Sequence, residues 1–500
     1  MESLAAKSVW SAFASVIGIL GRFASNIMIA RILGPIGIGQ FAFLTCVCES
    51  LYVLTNFGLS NGMTRYVAEL QGGGRTSEIN GLMKWIYKRS VIACLFGCTL
   101  LMLFLWWYEK ETHYLDMVLT SSIVLAFVST FFASMKTAEY TGRLDFHSLA
   151  LVNLVSAILL IIVQYFGVFF FGVTGAVVGY ALGSLPLLLL ILGVLKPNRV
   201  TRTPSPMLKQ EFWTYTSNAW IGHIVSAVVW GRVEIFFIEK YWNSYEVGLF
   251  SAGLTLSSMA IYAPLLLRGA FLPHFANLLG AEDRSTIEHT YAAGTRIMTL
   301  LAFPLGLGGA AIVPVLLPFL YGEQFRPAVP MAVVLIGLSC LTFGGVGSAL
   351  VYGIGYSRFV AFVEGLGGLI AIGACFFVIP SHGAWGAVWV RAGVQTGIIA
   401  FQTLYIAFGL KHKVPYMFIV KTLFAAAFCA LSARAVLTLL PFPAAIPLAV
   451  GTGVGMYAIC LRFLRVINRE DAEWLGRKFA WAPWRIRAGL LTGLRWMTVK

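Results

Sequence analysis

The sequence predicts an all-α polytopic membrane protein of about 14 transmembrane helices, arranged as two six-helix lobes with two further C-terminal helices. Three observations predict it: a composition too apolar for water, fourteen apolar runs of membrane-spanning length, and an internal repeat at an offset of 209 residues. Of the 500 residues, 59% are apolar and 11% charged, where a soluble domain carries about 45–50% and about 25%. Mean hydropathy is +0.82. There is too little charge to cover a soluble surface, which excludes a soluble enzyme, a nucleic-acid-binding domain and a disordered chain. The formal net charge of +15 is therefore read first as membrane topology.

The first six apolar runs lie near 9–31, 40–63, 89–108, 115–137, 148–170 and 172–195. The next six lie near 213–239, 246–271, 292–320, 328–353, 356–380 and 383–409, and the last two near 415–438 and 442–464. Backbone groups within lipid must bond inside their own segment, so each run is expected to be helical. Short turns with breakers such as Leu33-Gly34-Pro35 separate several of them. The first run is not read as a cleavable signal, because Arg22 sits in its middle and no small-residue cleavage site follows. The expected organisation is an N-lobe over 1–195, a linker over 196–211, a C-lobe over 212–410, helices 13 and 14 over 411–464, and a basic tail over 465–500. In that tail Trp474, Trp481, Trp484 and Trp496 alternate with Arg477, Lys478, Arg485, Arg487 and Arg495, the pattern of an interfacial helix on anionic lipid.

Placing the N-terminus in the cytoplasm puts 28 of the Lys and Arg residues on that side and five on the other. The asymmetry predicts both termini in the cytoplasm and an even helix count. Arg22, Arg232 and Arg391 fall within helices and belong to neither side.

The repeat aligns Ile38-Gly39-Gln40-Phe41 with Val247-Gly248-Leu249-Phe250, and Arg75-Thr76 with Arg284-Ser285. After a two-residue shift it aligns Gly172-x-x-Gly175-Ala176-Val177 with Gly383-x-x-Gly386-Ala387-Val388. Six helices per half insert both halves in the same orientation, a parallel duplication that places a substrate site between the lobes near mid-membrane. Gly175, Gly179 and Gly183 form a small-residue packing stripe. Gly37-x-Gly39 joins two membrane helices with no strand before it, so it is no nucleotide loop. The eight cysteines all lie in apolar runs and are read as small buried residues, without a disulfide or a metal.

A charge at the bilayer centre costs about 2.5–3.5 kcal/mol on insertion scales, so each marks a candidate site. In the first run Ser11, Ser15, Gly18, Arg22 and Ser25/Asn26 recur every three or four residues, one polar face with Arg22 at its centre. The seventh run carries Asn218, His223, Arg232 and Glu234; Arg391 lies in the twelfth, Glu49 in the second and Glu364 in the eleventh. Two readings stand: Arg232 pairs with Glu234 or Arg22 with Glu49 to hold helices together, or the three arginines line a cationic cavity. Arginine meets a phosphate bidentately, so Arg22, Arg232 and Arg391, with Ser25, Asn26 and Asn218, are candidate contacts for an anion such as a diphosphate. Glu49, Glu234 and His223 are candidates for ion or proton coupling. No catalytic residues, metal site or cofactor are expected; Glu109, Glu111, Asp116 and His113 share a loop with no second acidic motif.

The segment from Arg31 to Ala42, RILGPIGIGQFA, followed by Asn56 to Glu69, NFGLSNGMTRYVAE, resembles the opening of the polysaccharide-export (O-antigen) flippases of the Wzx type. Those belong to the superfamily of the MATE-like multidrug exporters and the lipid II flippases. Tyr245 to Pro273 and Leu320 to Ala328 are similar to the family's second lobe. The resemblance implies a MATE-like transporter, not an enzyme. It would move undecaprenyl-diphosphate-linked oligosaccharide across the bacterial inner membrane for O-antigen, capsule or exopolysaccharide biosynthesis, by alternating access. Implied partners are that lipid-linked glycan, anionic lipids at the tail, and the polysaccharide polymerase and chain-length machinery, with no nucleic acid. A multidrug/cation exporter or a lipid II flippase of the same superfamily and, further off, a membrane glycosyltransferase or polymerase are the alternatives. Helix 1 offers Arg22 and no carboxylate, which disfavours the first.

Overall fold

A computed structural model describes residues 4–112, 115–195, 205–268, 271–280, 284–440 and 445–466. The predicted tail helix lies outside these residues. The described residues are helical with turns between, and the long helices are α1 Leu4–Thr55, α2 Leu59–Gly72, α3 Thr76–Thr112, α4 Met117–Gly142, α5 Phe146–Gly183, α6 Leu185–Leu195, α7 Pro206–Trp230, α8 Glu234–Tyr241 and α9 Ser244–Arg268. They continue as α10 Phe271–Gly280, α11 Arg284–Phe303, α12 Gly309–Tyr321, α13 Val329–Gly337, α14 Gly345–Gly353, α15 Ser357–Leu404, α16 Tyr416–Leu439 and α17 Ala445–Phe463.

Ten helices among the described residues are long and apolar enough to cross a membrane, eleven with the bent pair α7–α8 counted as one span. Three of the long helices contain a backbone break, at Gly34 in α1, Gly172 in α5 and Gly383 in α15. Dividing them there brings the count to fourteen segments, in line with the apolar runs.

Gly172 has φ 58° and ψ −132°, and Gly383 has φ 56° and ψ −137°. That region is open to glycine and closed to nearly every other residue. The same hairpin is thus made at equivalent positions of the two sequence halves. The duplication has a second mark in the contacts of Gly39 and Gly248. A Cβ on Gly39 would strike the Ser244 carbonyl oxygen, and one on Gly248 would strike the Pro35 carbonyl oxygen. Positions 35 and 244, like 39 and 248, are related by the 209-residue offset, so the crossing is reciprocal.

Two predicted segments are interrupted. The second run stops at Thr55, where Phe57 (φ 49°) and Gly58 (φ 72°) turn the chain left-handed before α2 begins. The Asn56 carboxamide accepts from Ser60 N at 3.2 Å and from Ser60 Oγ at 3.1 Å, capping the new helix. The seventh run breaks between Trp230 and Glu234, with a bend of 52°. Gly231, at ψ −144°, leaves the helical path there.

The chain forms two compact units: Met1–Ser251 with Cys375–Ala384, and Ala252–Ala374 with Trp385–Lys500. In the first, α1 packs along α5, and α4 packs against α5 and α2. The contact of α1 with α5 includes a buried polar tie, in which Ser25 donates to the Gln164 carboxamide oxygen while Gln164 Nε2 donates to Ala176 O at 3.0 Å. In the second, α16 packs on α17 and α11, and Phe275, Tyr291, Met298 and Leu350 lie in its apolar core.

Candidate functional site

The first unit forms a partly open cavity of about 500 Å³ among α1, α2, α4, α5 and α6, within the about 300–1,000 Å³ span of small-molecule sites. Its walls come from ordinary helix periodicity. On α1, Gly18 and Arg22 are one turn apart and share a face. The Asn56 turn sets the start of α2 so that Ser60, Asn61 and Thr64 face inward. Helix α4 contributes Thr130, Ser134, Thr137 and Thr141, spaced four, three and four apart, and α5 contributes Asn153, Ser156 and Tyr180.

Among the described residues of this wall, Arg22 is the one Lys, Arg, Asp or Glu. Its guanidinium is exposed to the cavity and makes no ion pair or hydrogen bond with a described residue. The surrounding polar groups are hydroxyls, carboxamides and two tyrosines, set among the apolar Ala133, Ala138, Ala157, Leu160 and Leu187. Such a cavity can hold an anion at one point and hydrogen-bond a neutral polar body elsewhere.

The other predicted residues are distributed as follows. Asn26 Nδ2 donates to Arg22 O at 2.9 Å and so belongs to the same helical turn. Ser25 is buried, with its hydroxyl given to Gln164. Glu49 is exposed on the second half of α1 and makes no ion pair with Arg22. Asn218 and His223 lie exposed on α7. Arg232 and Glu234 flank the break between α7 and α8, where Arg232 O accepts from Cys46 Sγ at 3.5 Å and Glu234 is buried. Arg391 is buried in the second unit, as is Glu364. All eight cysteines are free thiols, and among the described residues no three His, Cys, Asp or Glu side chains gather as metal ligands.

Sequence reasoning missed the cavity's hydroxyl and carboxamide lining, and it missed an ion cluster on α4. Lys136 and Glu139 are only 4% and 3% exposed. Glu139 accepts from Lys136 Nζ at 2.9 Å, from Arg143 Nε at 3.1 Å and from the Tyr87 hydroxyl at 3.0 Å. Both Lys136 and Arg143 are among the 28 basic residues that the topology count places on the cytoplasmic side.

The sequence matches the family described as "Polysaccharide biosynthesis protein" over residues 28–330. No curated protein sequence matches it significantly. Among solved structures it is similar to the lipid II flippase MurJ in an inward closed conformation, with TM-score 0.68 and 12% identity, covering 91% of this chain and 97% of that one. It is also similar to an inward-facing multidrug resistance MATE family transporter of the MOP superfamily, with TM-score 0.65 and 15% identity, covering 79% and 96%. A third is a MOP superfamily transporter from Pyrococcus furiosus, described as having a binding pocket of reverse polarity, with TM-score 0.56 and 15% identity, covering 81% and 95%. At these identities the likeness is one of fold, and that fold is the MATE-like one. Family and fold together support a multi-pass membrane flippase or transporter. The chain belongs to the polysaccharide biosynthesis protein family.

Proposed function

We propose that the protein is a flippase that moves undecaprenyl-diphosphate-linked oligosaccharide across the bacterial inner membrane by alternating access, for O-antigen, capsule or exopolysaccharide assembly. The observation that carries this reading is the Arg22 guanidinium, which pairs with no described residue and opens on a cavity whose other polar groups are hydroxyls and carboxamides. An arginine kept in a membrane segment without a protein counter-charge suits a phosphate anion arriving with the cargo. The uncharged polar wall suits a sugar, and the absence of a carboxylate from that wall disfavours a cationic drug. Arg232 and Arg391 remain candidates for further phosphate contacts, and the glycan polymerase and chain-length machinery are the partners that would receive the product.

The test is flipping of pulse-labelled undecaprenyl-diphosphate oligosaccharide in proteoliposomes. Arg22→Ala is expected to lower the rate at least a hundredfold while the protein still inserts and runs as a monodisperse species, and Arg22→Lys to retain part of it. A wild-type rate in Arg22→Ala would remove Arg22 from the site.

A further inference from the structure

Resting on the flippase reading, we infer that the cavity selects lipid-linked glycans whose sugars next to the diphosphate are uncharged, and rejects those carrying a carboxylate there. The wall's described residues offer one cation and otherwise only neutral groups, several of whose protons are already committed. Thr137 Oγ1 donates to Ala133 O at 2.9 Å, and Thr141 Oγ1 donates to Thr137 O at 2.9 Å. Thr64 Oγ1 donates to Ser60 O at 3.1 Å and Ala138 O at 3.2 Å. Asn153 commits an Nδ2 proton to Ala14 O at 3.2 Å. Back-bonding of this kind is how hydroxyls settle in membrane helices. It leaves these threonines presenting lone pairs.

A sugar hydroxyl brings its own proton and satisfies such acceptors. A carboxylate is acceptor-only and cannot. The donors left over, among them the hydroxyls of Tyr52, Ser134, Tyr180 and Ser184, are all neutral. The Ser156 hydroxyl is buried without a partner, and the Asn61 carboxamide forms no hydrogen bond with a described residue. These suit a ring oxygen or an acetamido carbonyl. The single cation among the described lining residues, Arg22, is taken by the phosphate on this reading. Two further cations on α4, Lys136 and Arg143, are tied to Glu139. A uronic acid seated here would therefore trade water for neutral groups and find no counter-charge.

The experiment reconstitutes the full chain and measures flipping of two probes. One is undecaprenyl diphosphate carrying a GlcNAc–GlcNAc disaccharide; the other carries GlcNAc followed by glucuronic acid. Wild type is expected to move the neutral probe at least tenfold faster, and equal rates would overturn the inference. Asn61→Lys and, separately, Thr141→Lys add a cation to the wall and are expected to narrow that ratio at least fivefold. An unchanged ratio in either variant that still transports would also overturn it. If neither variant inserts, the wild-type ratio decides. Should wild type move neither probe, the flippase reading itself falls, a result distinct from both probes moving equally.

Discussion

Gly18 offers a way to obstruct the cavity without disturbing the fold. It lines the cavity beside Arg22, and a Cβ built on it meets no atom within 4 Å. Gly18→Leu adds four carbons of roughly water size, and a water's share of liquid is about 30 Å³. The substitution thus removes roughly a quarter of the cavity's about 500 Å³. The helix gains about 0.5–1 kcal/mol from replacing glycine in its interior. Cargo must repack against the new side chain, and overpacking of this size costs about 1–3 kcal/mol. Flipping should therefore fall roughly 5- to 150-fold at limiting substrate, with thermal stability in detergent unchanged or slightly raised. Gly18→Ala, a single carbon, should transport nearly normally. If Gly18→Leu were folded and flipped glycolipid at the wild-type rate, the cavity would not lie on the transport path.

The reciprocal crossing predicts that Gly39→Ala and Gly248→Ala each force a backbone apart, at about 1–3 kcal/mol, and that both lower transport by a similar factor in the same proteoliposome assay. A large defect in one and none in the other would contradict their equivalence. In the α4 cluster, Glu139→Gln leaves the buried Lys136 uncompensated and should destabilise by about 3–5 kcal/mol. Combining it with Lys136→Met should recover part of the melting temperature, read by thermal aggregation in detergent. For coupling, Glu49→Gln with Glu234→Gln is expected to flatten the pH profile of flipping. An unaltered profile and rate in the double variant would eliminate both carboxylates as coupling groups.

The helices and most of their ends were legible because lipid leaves a backbone no alternative to bonding within its own segment, and glycine at Gly172 and Gly383 marks where that rule is suspended. The breaks at Asn56–Gly58 and Gly231 were not legible, since the apolar run continues across both. On α1 the face centred on Arg22 could be read from spacing, because a charge in an apolar run is conspicuous. The rest of the cavity carries the same three-and-four spacing at Thr130, Ser134, Thr137 and Thr141. Hydroxyls there give a weak signal, for a membrane threonine is as content bonding its own helix as facing a ligand. Ser25 shows the converse. It shares the spacing of the Arg22 face, yet its hydroxyl is used to tie α1 to Gln164.

The α4 cluster has a consequence for how the protein is made. Lys136, Glu139 and Arg143 lie three and four residues apart on one helix, so their pairing needs nothing but that helix. As the segment leaves the ribosome and enters the bilayer, the three charges can already travel as a neutralised group carrying one residual positive charge. The Tyr87 hydroxyl and the Met83 sulfur, which accepts from Arg143 Nη2 at 3.2 Å, both on the preceding helix, have to be found later. Biogenesis thus meets a segment whose charges are already sorted, and late assembly has hydrogen bonds to α3 to add there rather than a set of loose ions to match.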